Sequence, residues 1–149
     1  MISANSTESR TAEWPVRVYY EDTDTAGVVY YANYLKFCER ARTEWLRAGG
    51  FHQQVLLNER QLGFVVRRVN CEFMGPARLD DELIVRSHIA QLRGASLQFV
   101  QDIYRQSELL FRAEAEIVCM STTRHRPVAS PLTSVQRLLP PDSPDFIFS

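Results

Sequence analysis

The chain has 149 residues, enough for one domain with a real core. Apolar residues make up 45% and charged residues 23%, with a formal net charge of -1, so there is no overall basic excess and no reason to expect a nucleic-acid partner. No apolar run reaches the ~18 residues of a membrane span, and the three cysteines, Cys38, Cys71 and Cys119, are dispersed without a Cys-x-x-Cys pair, which argues against a disulfide framework or a zinc site and suits a reducing cytoplasm.

Residues 1–13 are polar, lack the apolar stretch of a signal peptide and read as a mobile tail. Trp14 to Glu21 alternates, with Val16, Val18 and Tyr20 on one parity, and is expected to be a short strand. Ala26-Gly27 is a turn, and Val28 to Tyr31 is expected to form one helical turn. The clearest helix follows. Tyr34, Phe37, Cys38, Ala41, Trp45 and Ala48 fall on one stripe, with Asn33 as a suitable N-cap and Gly49-Gly50 at the C-terminus. A second, shorter helix is expected over His52 to Glu59.

From Phe64 the period changes from helical to alternating. Phe64 to Phe73, Glu82 to Leu92, Ser96 to Tyr104 and Leu109 to Met120 read as four strands. The short links Arg93-Gly94 and Gln106-Ser107 make antiparallel hairpins of the last three. Residues 122–149, rich in Pro, Ser, Thr and Arg, read as an irregular tail. One long helix against an antiparallel sheet of about five strands is an α+β layer arrangement, confined to residues 14–121.

The chemistry concentrates in Glu21-Asp22-Thr23-Asp24-Thr25-Ala26-Gly27. A solvated turn accounts for Asp and Gly on backbone grounds alone. A calcium loop requires a bidentate Glu where Asn33 stands and a ligand where Ala26 stands. A phosphatase-type Asp-x-Asp resides on a parallel sheet, which these hairpins do not supply. A further reading, beside the solvated turn, is a single carboxylate facing the free amides of a helix start, an arrangement suited to attack on a carbonyl.

The run EDTDTAGVVYYANYLKFCERARTEWLR resembles the opening of the 4-hydroxybenzoyl-CoA thioesterase family, and most of all its YbgC-type acyl-CoA thioesterases associated with the Tol–Pal system. The resemblance continues through FVVRRVNCEFMGPARLDDEL and RGASL, covering roughly Trp14 to Pro131. It implies a hotdog fold, a long helix wrapped by a curved sheet, assembled as dimers or dimers of dimers with sites between subunits. It implies acyl-CoA thioester hydrolysis without a cofactor. Asp24 would be nucleophile or general base, and the Tyr31 backbone amide would polarise the carbonyl. YbgC-type sequences carry His where this chain has Tyr31, and the hydroxybenzoyl branch carries an aromatic residue there; a backbone donor is independent of the side chain.

Another hotdog branch places a Glu on the central helix, and Glu39 is the backup acid here. Gly27, Val28, Tyr30 and Phe64 are candidates for the acyl end of the site. Arg93, Arg124 and Arg126 are candidates for the CoA phosphates, with solvated loop charges as the plain alternative. His52, His88 and His125 show no metal spacing. Two other readings of the same fold stay open: a hydroxyacyl dehydratase, which would want a His in the site, and a silent protein that binds acyl chains or acyl carrier protein.

Overall fold

The computed structural model describes residues 11–131 and 147–148. Its elements are β1 (Ala12–Arg17), α1 (Asn33–Ala48), α2 (Gln53–Arg60), β2 (Leu62–Phe73), β3 (Glu82–Arg93), β4 (Ser96–Arg105), β5 (Glu108–Ser121), β6 (Arg126–Pro127) and β7 (Ile147–Phe148). The sheet runs in the order β2-β5-β4-β3-β1-β7, all antiparallel, with β6 added on β5. Four long strands and the shorter β1 wrap one long helix, which is the hotdog architecture.

The sequence pattern explains these elements. On β5, Phe111, Ala113, Ala115, Ile117 and Cys119 are buried while Arg112 and Glu114 are exposed, the period-two alternation of a strand with one face on the core. On α1, Tyr34, Phe37, Cys38, Ala41 and Trp45 form the buried stripe. They pack against Leu83, Val85, Phe99 and Phe111 of the sheet. Register shifts at Val66/Arg68, Ile89/Gln91 and Ile103/Tyr104 bend three strands around the helix, the local effect of a β-bulge.

One polar group sits in the middle of this core. Gln101 on β4 is 0% exposed and fully engaged: Nε2 donates to the Cys38 carbonyl at 3.0 Å and to Ser87 Oγ at 2.9 Å, and Oε1 accepts from Arg42 at 2.9 Å. The bonds offset the cost of burying an amide and pin α1 to β3 and β4 at one register.

Several expectations need correction. β1 begins at Ala12 and ends at Arg17; residues Tyr20–Asp22 form a 3-10 turn because the Asp22 carboxylate folds back onto the Tyr19 amide at 2.8 Å. Val28 and Val29 are extended, not helical, since each bridges to a neighbouring segment. Asn33 is the first helical residue, not the cap: Ala32 holds the cap position, and the Asn33 side chain is drawn to the Asp22 carbonyl. Arg126–Pro127 pairs with Met120–Ser121, and Ile147–Phe148 pairs with β1, so two short stretches of the expected tail lie in the sheet.

Candidate active site

The loop between β1 and α1 is built from short bridges. Thr23 pairs with Val29, and Val28 pairs with Arg78, so Val28–Val29 is a middle strand between the acidic turn and the segment before β3. The Asp24 amide donates to the Val28 carbonyl at 2.9 Å, and the Gly27 amide donates back to the Asp24 carbonyl at 3.0 Å. Gly27 has φ +78, the left-handed backbone that closes this turn.

The three acids separate on geometry. Glu21 is exposed. Asp22 is 8% exposed; its Oδ2 is taken by the Tyr19 amide, and its carbonyl accepts from the Tyr30 amide at 3.0 Å and from Asn33 Nδ2 at 2.9 Å. Asp24 is exposed, its Oδ1 accepting from the Ala26 amide at 2.9 Å, while Oδ2 has no partner among the described residues. Asp22 is therefore a structural staple, and Asp24 presents a free carboxylate oxygen. The two acids turn to different backbone groups instead of converging on one ion.

The Tyr31 amide lies in the turn just ahead of α1 and has no hydrogen-bond partner among the described residues. The same loop thus offers one free carboxylate oxygen and one free N–H. The Tyr31 ring is exposed and sits 4.9 Å from Tyr30 and 6.1 Å from Phe73, at the C-terminal end of β2. Within the loop Val28 is half-buried and Tyr30 is exposed.

Glu39 and Phe64 are brought together elsewhere. They line a groove of about 270 Å³ with Arg42, Thr43, Leu46 and Leu97, beside the free edge of β2. Asp24 is not among its lining residues, so in a single chain this groove of mixed polarity and the acidic loop are separate. Arg42 also lines this groove, a placement that no motif in the sequence signals. Burial lowers the pKa of its guanidinium, and the Cys38 and Glu39 side chains work against that shift.

The arginines gather at the far end. The acidic loop is tied to residues 78–81 at the start of β3, where the Val18 amide meets the Asp81 carbonyl at 2.9 Å. Arg93 closes β3 eleven steps later, roughly 36 Å along the strand at ~3.3 Å per residue. The Arg124 amide donates to Ser121 Oγ at 3.0 Å, and Arg126 starts the adjoining β6. That turn abuts Gln61, just before β2, through Thr122. All three arginines are exposed.

Comparison with known proteins agrees with this architecture. The thioesterase superfamily model matches residues 26–111. An acyl-CoA thioester hydrolase YbgC from Shigella flexneri is 50% identical over 123 residues, 82% of this chain and 91% of that protein. An acyl-CoA thioesterase YbgC from Haemophilus influenzae is 47% identical over 118 residues, 79% of this chain and 87% of its own length. Among solved structures, a probable thioesterase from Bartonella henselae superposes with a TM-score of 0.76 at 37% identity, covering 80% of this chain and 98% of that one. A 4-hydroxybenzoyl-CoA thioesterase shares the fold with a TM-score of 0.77 at 23% identity, covering 85% and 97%. With its helix-wrapping sheet, its loop of one free carboxylate and one free amide, and these likenesses, the chain belongs to the thioesterase superfamily.

Proposed function

We propose that the chain hydrolyses an acyl-CoA thioester to a free acid and CoA, with the loop Asp24–Tyr31 as the reacting site. The observation that carries this reading is the pairing, within one short bridged loop, of an exposed carboxylate oxygen at Asp24 with an unpartnered amide at Tyr31. A thioester carbonyl oxygen accepts the Tyr31 N–H, and the charge that develops there in the tetrahedral state is stabilised by a donor already in place. The Asp24 carboxylate then serves in one of two ways. It adds to the carbonyl carbon, expels the CoA thiolate and leaves a mixed anhydride that water opens, or it takes a proton from the water that adds directly. Both routes consume one water and release the same acid and thiol.

The site is completed by a second copy. β2 ends the sheet, and its outer edge has no strand partner among the described residues, while Val65 and Val66 are 47% and 48% exposed. A long unpaired edge is a template for another strand. Antiparallel pairing of two β2 edges about a two-fold axis sets the Phe73 end of one copy beside the Leu62 end of the other. Tyr31 stands at the first end, and Phe64, the Glu39 groove and the Arg124–Arg126 turn stand toward the second. The acyl group then lies between Gly27, Val28 and Tyr30 of one copy and Phe64 of the other, with Glu39 as the nearer helical acid. Arg93, Arg124 and Arg126 supply cations for the CoA phosphates. Pairing of two such dimers gives the tetramer, and free thiols suit a cytoplasmic setting. Acyl carrier protein is the alternative thiol carrier.

The test is Asp24→Asn, assayed by free thiol release from a panel of acyl-CoA esters. Loss of nearly all turnover with an unchanged thermal midpoint is expected; hydrolysis comparable to the parent protein would sink the assignment. Thiol release from no ester by the parent would favour the silent binding protein.

A further inference from the structure

The loop just described is held from outside as well as by its own bonds. Val28–Val29, the strand that sets Asp24 on one side and Tyr31 on the other, is laid against residues 77–78: Val28 bridges to Arg78, and the Val29 amide donates to the Ala77 carbonyl at 2.8 Å. We propose that Tyr34 and Arg105 are positioning residues for thioester hydrolysis, because they fasten this segment, residues 76–81, against which the reacting loop is registered. The proposal rests on the reading of Asp24 and Tyr31 given above.

The Tyr34 hydroxyl accepts from the Ala77 amide at 3.0 Å, where Tyr34 is 3% exposed and Ala77 is fully buried. Its ring cannot drift. It stacks on Phe111 at 5.0 Å and is edged by Phe37 and Phe73. Tyr34 is also the second residue of α1, three positions after Tyr31, so one side chain links the helix start to the segment that carries Val29.

Arg105 grips both ends of the segment from β4. Its Nη1 donates to the Pro76 carbonyl at 3.1 Å and to Asp81 Oδ2 at 2.8 Å, and its Nη2 donates to Glu108 at 2.7 Å. Asp81 Oδ2 in turn accepts from the Arg78 amide at 2.8 Å, closing the turn from within. Desolvation opposes the charged form of Asp81, but the bonds from Arg105 and Arg78 together outweigh it and hold the carboxyl below the usual carboxylate range.

These ties are not what keeps the domain folded. Residues 80–81 are held separately to Val18 by two backbone bonds of 3.0 and 2.9 Å, and β3 continues into a full ladder with β1 and β4. Releasing Tyr34 or Arg105 frees residues 76–79 to shift while the sheet stays intact. A displacement of about 1 Å between a catalytic group and its target costs on the order of 10²-fold in rate.

The experiment compares Tyr34→Phe, Arg105→Met, Arg105→Lys and Asp24→Asn with acetyl-, butyryl- and benzoyl-CoA, well below each variant's thermal midpoint. Leu56→Ala, in the small cluster under α2, is the control for lost stability without a loosened segment. Tyr34→Phe and Arg105→Met are expected to lower kcat about 10- to 100-fold with KM within about 3-fold. Arg105→Lys, which keeps the charge facing Asp81 but not the fork to Pro76 and Glu108, is expected to recover part of the loss. A variant combining Tyr34→Phe with Arg105→Met should lose less than the product of the two single losses, since both release one segment. Parent-like kcat in Tyr34→Phe, with Asp24→Asn inactive, would overturn the positioning roles and leave the site standing. Turnover retained by Asp24→Asn would overturn the site and the positioning roles together.

Discussion

Asn33 donates its side-chain amide to the backbone carbonyl of Asp22, eleven residues back, at 2.9 Å, and the Tyr30 amide reaches the same oxygen at 3.0 Å. The helix start and the acidic turn are therefore sewn together at one atom. Asp22 adds a second stitch through its carboxylate, which holds the Tyr19 amide at 2.8 Å while nearly buried. Asp24 makes only the local bond to Ala26. Asp22→Ala is expected to cost about 1–3 kcal/mol, since it leaves a part-buried donor unmet. Asp24→Ala is expected to cost less than about 1 kcal/mol. Urea unfolding of the two variants gives the order directly, and a larger loss at Asp24 would reverse the division between the bonded acid and the one with a free oxygen.

Gly27 presents a different balance. A Cβ built there meets nothing within 4 Å, so space does not require glycine; its φ of +78 does. Gly27→Ala is expected to lose about 1–2 kcal/mol from left-handed strain. Gly27→Asn should lose less, because Asn tolerates that conformation. Equal losses in thermal unfolding would mean that the turn relaxes to another shape, and with it the Asp24 carbonyl bond would be broken.

The long elements were legible because their patterns are local. The apolar stripe of α1 and the alternation of β5 each repeat often enough to name the element within two residues at either end. The loop was less so. Val28-Val29-Tyr30-Tyr31 has apolar residues in a row, which fits a helical turn as well as a strand, and the extended form is decided by pairing with Thr23 on one side and with Ala77 and Arg78, about fifty residues away, on the other. Asn33 has the residue type of a cap but is recruited by Asp22, which no spacing rule predicts. At the site, resemblance singled out Asp24 from its neighbours; the bonds of Asp22 then gave a physical reason why its neighbour is occupied. Tyr34 read as an apolar stripe residue because its hydroxyl partner is forty-three residues away.

The free edge of β2 yields a prediction about assembly. Val65 and Val66 are exposed on a strand of twelve residues whose outer side is open among the described residues. A charge of one sign placed on both sides of a two-fold interface repels itself. Val66→Glu is expected to shift the chain toward monomer in sedimentation at micromolar concentration. Turnover should fall with the dimer, because Phe64 and the Glu39 groove would no longer face the loop of another copy. A monomeric parent protein with full activity would remove β2 as the joining edge.

Cys38 makes the stability of the fold sensitive to alkali. Its thiol is fully buried on α1, and burial pushes its pKa from 9.0 to about 12, against a smaller opposite pull from Arg42. In the unfolded chain the thiol ionises near its ordinary value, so between pH 9 and 12 the unfolded state has lost a proton that the folded state keeps. Folding stability is then complete below pH 9 and falls as pH rises through that window, by up to ~1.4 kcal/mol per pH unit for this one group. Burial raises Cys71 and Cys119 in the same direction, so they add to the slope. Cys38→Ala is expected to lower stability at neutral pH, through the lost sulfur contacts, yet to show a shallower decline above pH 9. Urea midpoints measured from pH 7 to 11 separate the two effects, one as an offset and the other as a slope. Parallel curves for the parent and Cys38→Ala would mean that the thiol ionises in the folded protein as readily as in the unfolded chain.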